Sequence, residues 1–256
     1  MKCLNACMTI LLFVLFFLTA LVYSSVGFGG GSTYLALLLL WKVPYEIFPV
    51  IALCCNIIVV SGNCFNYARA GNLNFKFLIP YFVGSIPFAF IGGSLPIEKS
   101  FFQLMLFAVL TTAGILLLIN FKSYDDKEEN YRKIPYAVSV SIGSVLGFVS
   151  GVVGIGGGIF LSPILFLLRA AKPKHIVTAA SVFILINSVS GVVGQLTKSN
   201  TLNSIPEYAY LILAVLIGGQ LGNFLNLKIL SAKILALITS LLVLFVAVRM
   251  GVNIFG

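Results

Sequence analysis

Charge is what this chain lacks. Only 9% of its 256 residues are charged, where a soluble domain carries about 25%. With 60% hydrophobic residues and a mean hydropathy of +1.10, that scarcity excludes a soluble globular class. The apolar residues run in long continuous stretches rather than in alternation, which excludes a β-barrel and leaves an all-α polytopic membrane protein. Acids are scarcer still. Of seven Asp and Glu, Glu46, Glu98 and Glu207 fall at the ends of apolar runs. The other four crowd into Asp125-Asp126-Lys127-Glu128-Glu129. No carboxylate stands at the centre of a span, so the proton-relay group usual in pumps is missing. The single histidine, His175, follows Arg169, Lys172 and Lys174 and reads as a loop residue. There is no Ser/His/Asp set, no carboxylate pair and no Cys/His cluster, so no enzyme activity, metal or cofactor is expected. The five cysteines all lie in the first half and read as small apolar membrane residues. The net charge of +9 does not point to nucleic acid, because the basic residues sit singly in short loops.

What is present is a repeat. Gly27-Phe28-Gly29-Gly30-Gly31 returns 127 positions later as Gly154-Ile155-Gly156-Gly157-Gly158. Val60-Ser61-Gly62 returns as Val189-Ser190-Gly191, and Leu73-Asn74 as Leu202-Asn203. The chain divides into a first transmembrane repeat (1–121), a polar cytosolic linker (122–133) and a second transmembrane repeat (134–256). Each repeat has a long apolar run, a glycine break, a short run and three further spans. In the first these are Met8–Tyr23, Thr33–Trp41, Phe48–Tyr67, Phe75–Leu95 and Phe101–Phe121. In the second they are Ile134–Val153, Ile159–Leu168, Ile176–Leu196, Ile205–Leu227 and Ile229–Ile254. The start imitates a signal peptide, but its counterpart Ile134–Val153 is internal, so retention is expected. The short runs cover about half of a ~30 Å hydrocarbon core and read as half-helices folded back on the long run before them.

Charge bias sets the orientation. If each broken pair returns to the side it entered from, Lys and Arg divide 11 to 5 between the two sides; if each pair crosses once, they divide 9 to 7. The positive-inside rule favours the first arrangement. The two repeats are then inverted, both termini lie outside, Lys127 and Lys174 are cytosolic, and Lys99 and Lys198 face out.

The glycine breaks are the candidate site. A Gly-rich turn entering a helix presents free N–H groups at the positive end of the helix dipole, which suits an anion. Lipid cannot satisfy such backbone groups, so they survive only when buried in protein or lining a cavity. Paired breaks in corresponding halves point to a transporter binding site. The candidates are Gly27, Gly29, Gly30, Gly31, Gly154, Gly156, Gly157 and Gly158, with the hydroxyls Ser25, Ser32 and Thr33. Asn56 and Asn63 on one span, and Ser181 and Asn187 on its partner, add neutral donors. Asn56, Asn63 and Asn66 share a helix face. Close helix packing and interhelical hydrogen bonding are the competing explanations for all of them.

These residues resemble the sulfite exporter TauE/SafE family. The GxGGG motif, its repeat, the segment Gly156-Gly157-Gly158-Ile159-Phe160-Leu161-Ser162-Pro163-Ile164-Leu165, the stretch Ile176-Val177-Thr178-Ala179-Ala180-Ser181 and the late Arg249 carry the likeness. The first repeat departs from it, with Ala36 where the second has Pro163. The resemblance implies transport of small sulfur-containing anions, sulfite or organosulfonates, across the bacterial cytoplasmic membrane. Export driven by the membrane potential is the expectation; an uptake permease is the alternative, and a non-transporting scaffold a more distant one. The partners expected are the anion and the lipid bilayer, with homo-oligomerisation left open.

Overall fold

The structure is a computed structural model that describes residues 2–71, 73–120, 131–198, 207–225 and 232–255. The described residues form ten α-helices and no strand: α1 (Lys2–Val26), α2 (Gly31–Leu40), α3 (Phe48–Arg69), α4 (Phe75–Ser94), α5 (Lys99–Asn120), α6 (Tyr136–Val153), α7 (Gly158–Leu167), α8 (Pro173–Leu196), α9 (Ala209–Leu225) and α10 (Ala232–Phe255). Among the described residues, six stretches are long and apolar enough to cross a membrane: Met8–Ser25, Tyr45–Arg69, Phe75–Ser94, Lys99–Leu116, Tyr136–Val153 and Lys174–Leu196. The protein is thus an all-helical, multi-pass membrane protein. Large apolar side chains such as Ile10, Ile119, Phe224 and Phe245 are exposed on the outside of the helical assembly, as a lipid-facing surface requires. The acidic part of the expected linker lies outside the described residues, as does the loop 226–231.

Both helices after the breaks have ten residues, each starting one or two residues earlier and ending one earlier than the short apolar runs of nine and ten. The first folds back on its predecessor. Tyr23 Oη and Thr33 Oγ1 are 2.8 Å apart, the rings of Phe16 and Tyr34 are 4.9 Å apart, and Trp41 Nε1 donates to the Met8 carbonyl at 3.0 Å. The end of α2 therefore lies beside the start of α1.

Packing partners come in pairs that interchange when the halves are exchanged. α4 packs on α6 as α9 packs on α1; α4 meets α8 as α9 meets α3; α5 meets α7 as α10 meets α2. α3 faces α8, and α5 faces α10, each its own counterpart. Small residues make the closest seam. Gly143, Gly147 and Gly151 recur every fourth position of α6 and bear on the carbonyls of Tyr81, Ser85 and Ala89 in α4. A Cβ at any of the three would force the two backbones apart.

The loops gather at two ends. The α2–α3 turn, the α4–α5 turn and the end of α10 border shared pockets with the end of α8, which places Lys42, Lys99, Arg249 and Lys198 at one end. At the other, Asn74 shares a small pocket with Ala170, Ala171 and His175, and the Arg132 amide donates to the Arg169 carbonyl at 2.9 Å.

Candidate functional site

The local chemistry of the breaks follows from glycine. Gly27, Gly30, Gly154, Gly156 and Gly157 have φ of 86°, 84°, 89°, 81° and 75°. A side chain disfavours that left-handed region by about 1–2 kcal/mol per residue. Gly27 ends α1 with the Phe28 amide closing back on the Tyr23 carbonyl at 3.1 Å, and the Gly154 amide closes on the Ser150 carbonyl at 2.8 Å. Gly30 and Gly157 then start the half-helices, and neither receives a side-chain cap. The first intrahelical bond of α2 runs from the Tyr34 amide to the Gly30 carbonyl at 3.0 Å, so the amides of Gly31, Ser32 and Thr33 precede it. In α7 the amides of Phe160 and Leu161 both donate to the Gly157 carbonyl at 3.1 Å. Those of Gly158 and Ile159 precede them.

The two breaks converge on one side chain. A Cβ added at Gly29 would stand 2.5 Å from Asn56 Oδ1, one at Gly31 would stand 2.8 Å from Asn56 Nδ2, and one at Gly156 would stand 2.7 Å from Nδ2. Asn56 is fully buried, and neither amide atom has a hydrogen-bond partner among the described residues. Across from it, Ile184 of α8 touches the positions of Gly29, Gly156 and Gly158. Ser188 Oγ lies 3.3 Å from the Cβ position of Gly156 and is likewise buried without a partner. Asn56 is the ninth residue of α3 and Ile184 the twelfth of α8. At 1.5 Å per residue these lie about 12 and 17 Å from the helix starts, mid-depth in a ~30 Å core.

Ser181 joins this junction. Its hydroxyl lies within donating distance of the Gly27 carbonyl and of the Val177 carbonyl, the latter at 3.0 Å, and so ties α8 to the first break. Asn187 is fully buried; its Nδ2 donates to the Phe183 carbonyl at 2.8 Å and its Oδ1 is unmatched among the described residues. Ser32 is buried at the head of α2. Other candidates are engaged elsewhere. Ser25 Oγ donates to the Val22 carbonyl of its own helix at 2.7 Å, and Thr33 pairs with Tyr23. Asn63 is buried on the Asn56 face of α3, but two turns away, with Nδ2 3.4 Å from the Val59 carbonyl. Asn66, on the same face, is exposed.

The glycines also serve packing. Gly157 has Phe183 Cε1 2.8 Å from its Cβ position and Gly158 has Ile184 Cδ1 at 2.5 Å, while Gly27 bears on the Tyr67 hydroxyl and Gly154 on the Pro49 backbone. Sequence reasoning did not name Ile184, Phe183, Tyr67 or Pro49 as neighbours of the breaks, and did not single out Ser188 from the other polar residues of its span. An orphaned amide between two uncapped helix starts offers donors at positive dipole ends in a buried setting. That arrangement suits a small anion. Among the described residues there is no group of His, Cys, Asp and Glu fit for a metal.

Comparison with known proteins agrees with this class. The family described as sulfite exporter TauE/SafE matches residues 12–250. A probable membrane transporter protein of Sinorhizobium fredii is 28% identical over 234 residues, covering 90% of this chain and 93% of that protein. Probable membrane transporter proteins of Bacillus subtilis and Methanocaldococcus jannaschii are 25% and 24% identical, covering 92% and 91% of this chain and 94% and 91% of their own lengths. No solved structure matches.

Proposed function

The chain belongs to the sulfite exporter TauE/SafE family, and from that premise we propose that it exports a small sulfur oxyanion, sulfite or an organosulfonate, across the bacterial cytoplasmic membrane. The observation that carries this reading is the meeting of the two glycine breaks, through Gly29, Gly31 and Gly156, at the buried, unpartnered amide of Asn56. A polar group left unmatched in an apolar interior costs about 1–3 kcal/mol. A site that pairs with a ligand recovers that cost when the ligand is present. The anion would take the backbone amides at the heads of α2 and α7, with Asn56 Nδ2 and the Ser188 hydroxyl as side-chain donors.

The inverted arrangement belongs to the same proposal. A fold-back of α2 on α1 is supported by the Trp41–Met8 bond. Two spans that each return to their side of entry put Lys42, Lys99, Lys198 and Arg249 at one end, as their shared pockets do. By the positive-inside rule that end faces out, with both termini. Export then needs no coupling ion. A monovalent anion leaving a negative interior gains about 2.3 kcal/mol per 100 mV.

The test is purified protein in liposomes loaded with labelled sulfite, challenged outside with sulfite, sulfoacetate, taurine, sulfate or chloride. Exchange accelerated by sulfite or a sulfonate, and not by chloride, is the expected result. Absence of protein-dependent flux for every sulfur anion would overturn the reading.

A further inference from the structure

A cavity lies away from the glycine breaks, at the end that carries the sparse basic residues. It measures about 820 Å³ and is bordered by the α2–α3 turn, the start of α5 and the end of α10. Three cations reach it from three separate segments: Lys42, Lys99 and Arg249. One carboxylate, Glu46, opposes them, so the lining charge is +2. The remaining wall is mainly apolar, including Leu39, Leu106 and Val246. A cleft lined by one sign of charge between low-dielectric walls concentrates field lines and raises the local density of counter-ions.

This cavity continues toward the glycine breaks. A second one, of about 580 Å³, shares Tyr45, Glu46 and Phe102 with it. Its lining includes Pro49 and Val152. The Pro49 backbone is the surface against which Gly154 packs, and Val152 lies two residues before that break. This second chamber also holds Glu98 and Lys198; the Lys198 ammonium donates to Gln195 Oε1 at 3.0 Å, and Gln195 Nε2 in turn donates to the Gly151 carbonyl at 2.8 Å. Burial pushes the Lys198 ammonium below the usual lysine range.

Resting on the transport reading, we propose that these two chambers are one vestibule at the outer mouth of the permeation path, in which Lys42, Lys99 and Arg249 raise the local density of small anions, easing passage through that mouth in either direction, and Glu46 and Glu98 oppose them. The ligand is a small anion held by long-range charge rather than by a fitted pocket. The floor is the Pro49–Gly154 contact, which separates the vestibule from the anion site at Asn56.

The test measures uptake of externally added sulfite, below saturation, into liposomes holding the full chain with its vestibule end outward, at zero membrane potential set by equal potassium and valinomycin. Ionic strength is varied from about 10 to about 300 mM with potassium gluconate, which shortens the Debye length from about 30 Å to less than 8 Å. The wild-type rate falls about tenfold over that range, at the lower edge of what steering supplies. Lys42→Gln/Lys99→Gln starts about tenfold lower at low salt and is nearly flat. Glu46→Gln moves the opposite way, faster than wild type at low salt and steeper with salt. A merely structural role for these side chains gives no such opposition of sign. Equal salt slopes in the wild type and the double variant, or a Glu46→Gln change in the same direction as the lysine changes, overturns the vestibule while leaving the transport reading intact. No flux of any sulfur anion in the wild type overturns both.

Discussion

Replacing Asn56 by leucine separates the two roles of the glycine junction. Leucine branches at the same carbon and presents two methyl groups where the amide has Oδ1 and Nδ2, so the shape is kept. In the structure both amide atoms are fully buried and unmatched among the described residues. Removing one unsatisfied buried group is worth about 1–3 kcal/mol, and replacement by an apolar group of the same shape can be stabilising. At roughly 2–4 °C per kcal/mol for a chain of this size, Asn56→Leu is expected to melt about 2–12 °C higher than the wild type. The same change removes a donor to a charged ligand. That interaction is worth about 1.5–3 kcal/mol, so sulfite affinity should fall ten- to a hundredfold. The assay is thermal unfolding of purified protein across a sulfite titration. At one hundred times Kd the ligand stabilises the wild type by about 2.7 kcal/mol. At that concentration the variant, starting from a higher baseline, should gain only about 0.4–1.4 kcal/mol. A variant that melts lower than wild type while keeping its sulfite response would refute the reasoning, because Asn56 would then serve packing alone.

Further outcomes follow from the same geometry. Gly71 has φ of 68° with open space around its Cβ position, while Gly157 has φ of 75° with Phe183 at 2.8 Å; Gly71→Ala should cost about 1–2 kcal/mol and Gly157→Ala clearly more, and equal melting temperatures would contradict the packing described. In a variant with the native cysteines replaced, Lys99→Cys and Lys198→Cys should react with an impermeant thiol reagent in intact cells while Lys174→Cys should not; reaction at only one of the first two would break the inverted arrangement. Flux in valinomycin-clamped liposomes should follow voltage without a proton or sodium gradient, and strict dependence on either gradient at fixed voltage would contradict uncoupled export.

Most of the helical frame was legible because membrane helices declare themselves in long apolar runs. The run starting at Phe48 begins α3, and Phe75 begins α4, where Asn74 accepts from the Phe77 amide at 3.3 Å as an N-cap. The half-helices were legible because glycine at φ > 0 interrupts an apolar stretch in both halves at one spacing. The site was legible only in part. Asn56 and Asn63 share a face, yet periodicity says nothing of depth, and two turns separate the residue at the junction from one bonded along its own helix. Ser25 was a plausible donor by position, but its hydroxyl is already used by the Val22 carbonyl. Ile184 and Pro49 reach the breaks across distant segments, which no local pattern encodes. At the offset of 129 that pairs Val60 with Val189, Asn56 corresponds to Leu185. The repeat therefore hides its own asymmetry: one flank of the junction is an amide and the other is apolar. Lys42, Lys99 and Arg249 read singly as loop or interface charges, and only the fold brings them to one cavity.

The most direct measurement is the position of a bound anion. Selenite has the charge and pyramidal shape of sulfite and carries a strong anomalous scatterer. A structure of the protein crystallised with selenite should place one selenium peak at mid-depth, within hydrogen-bonding reach of Asn56 Nδ2 and the amides that begin α2 and α7. Selenium found only in the basic vestibule, or nowhere in a protein shown to bind selenite in solution, would contradict the claim that the paired glycine turns hold the anion.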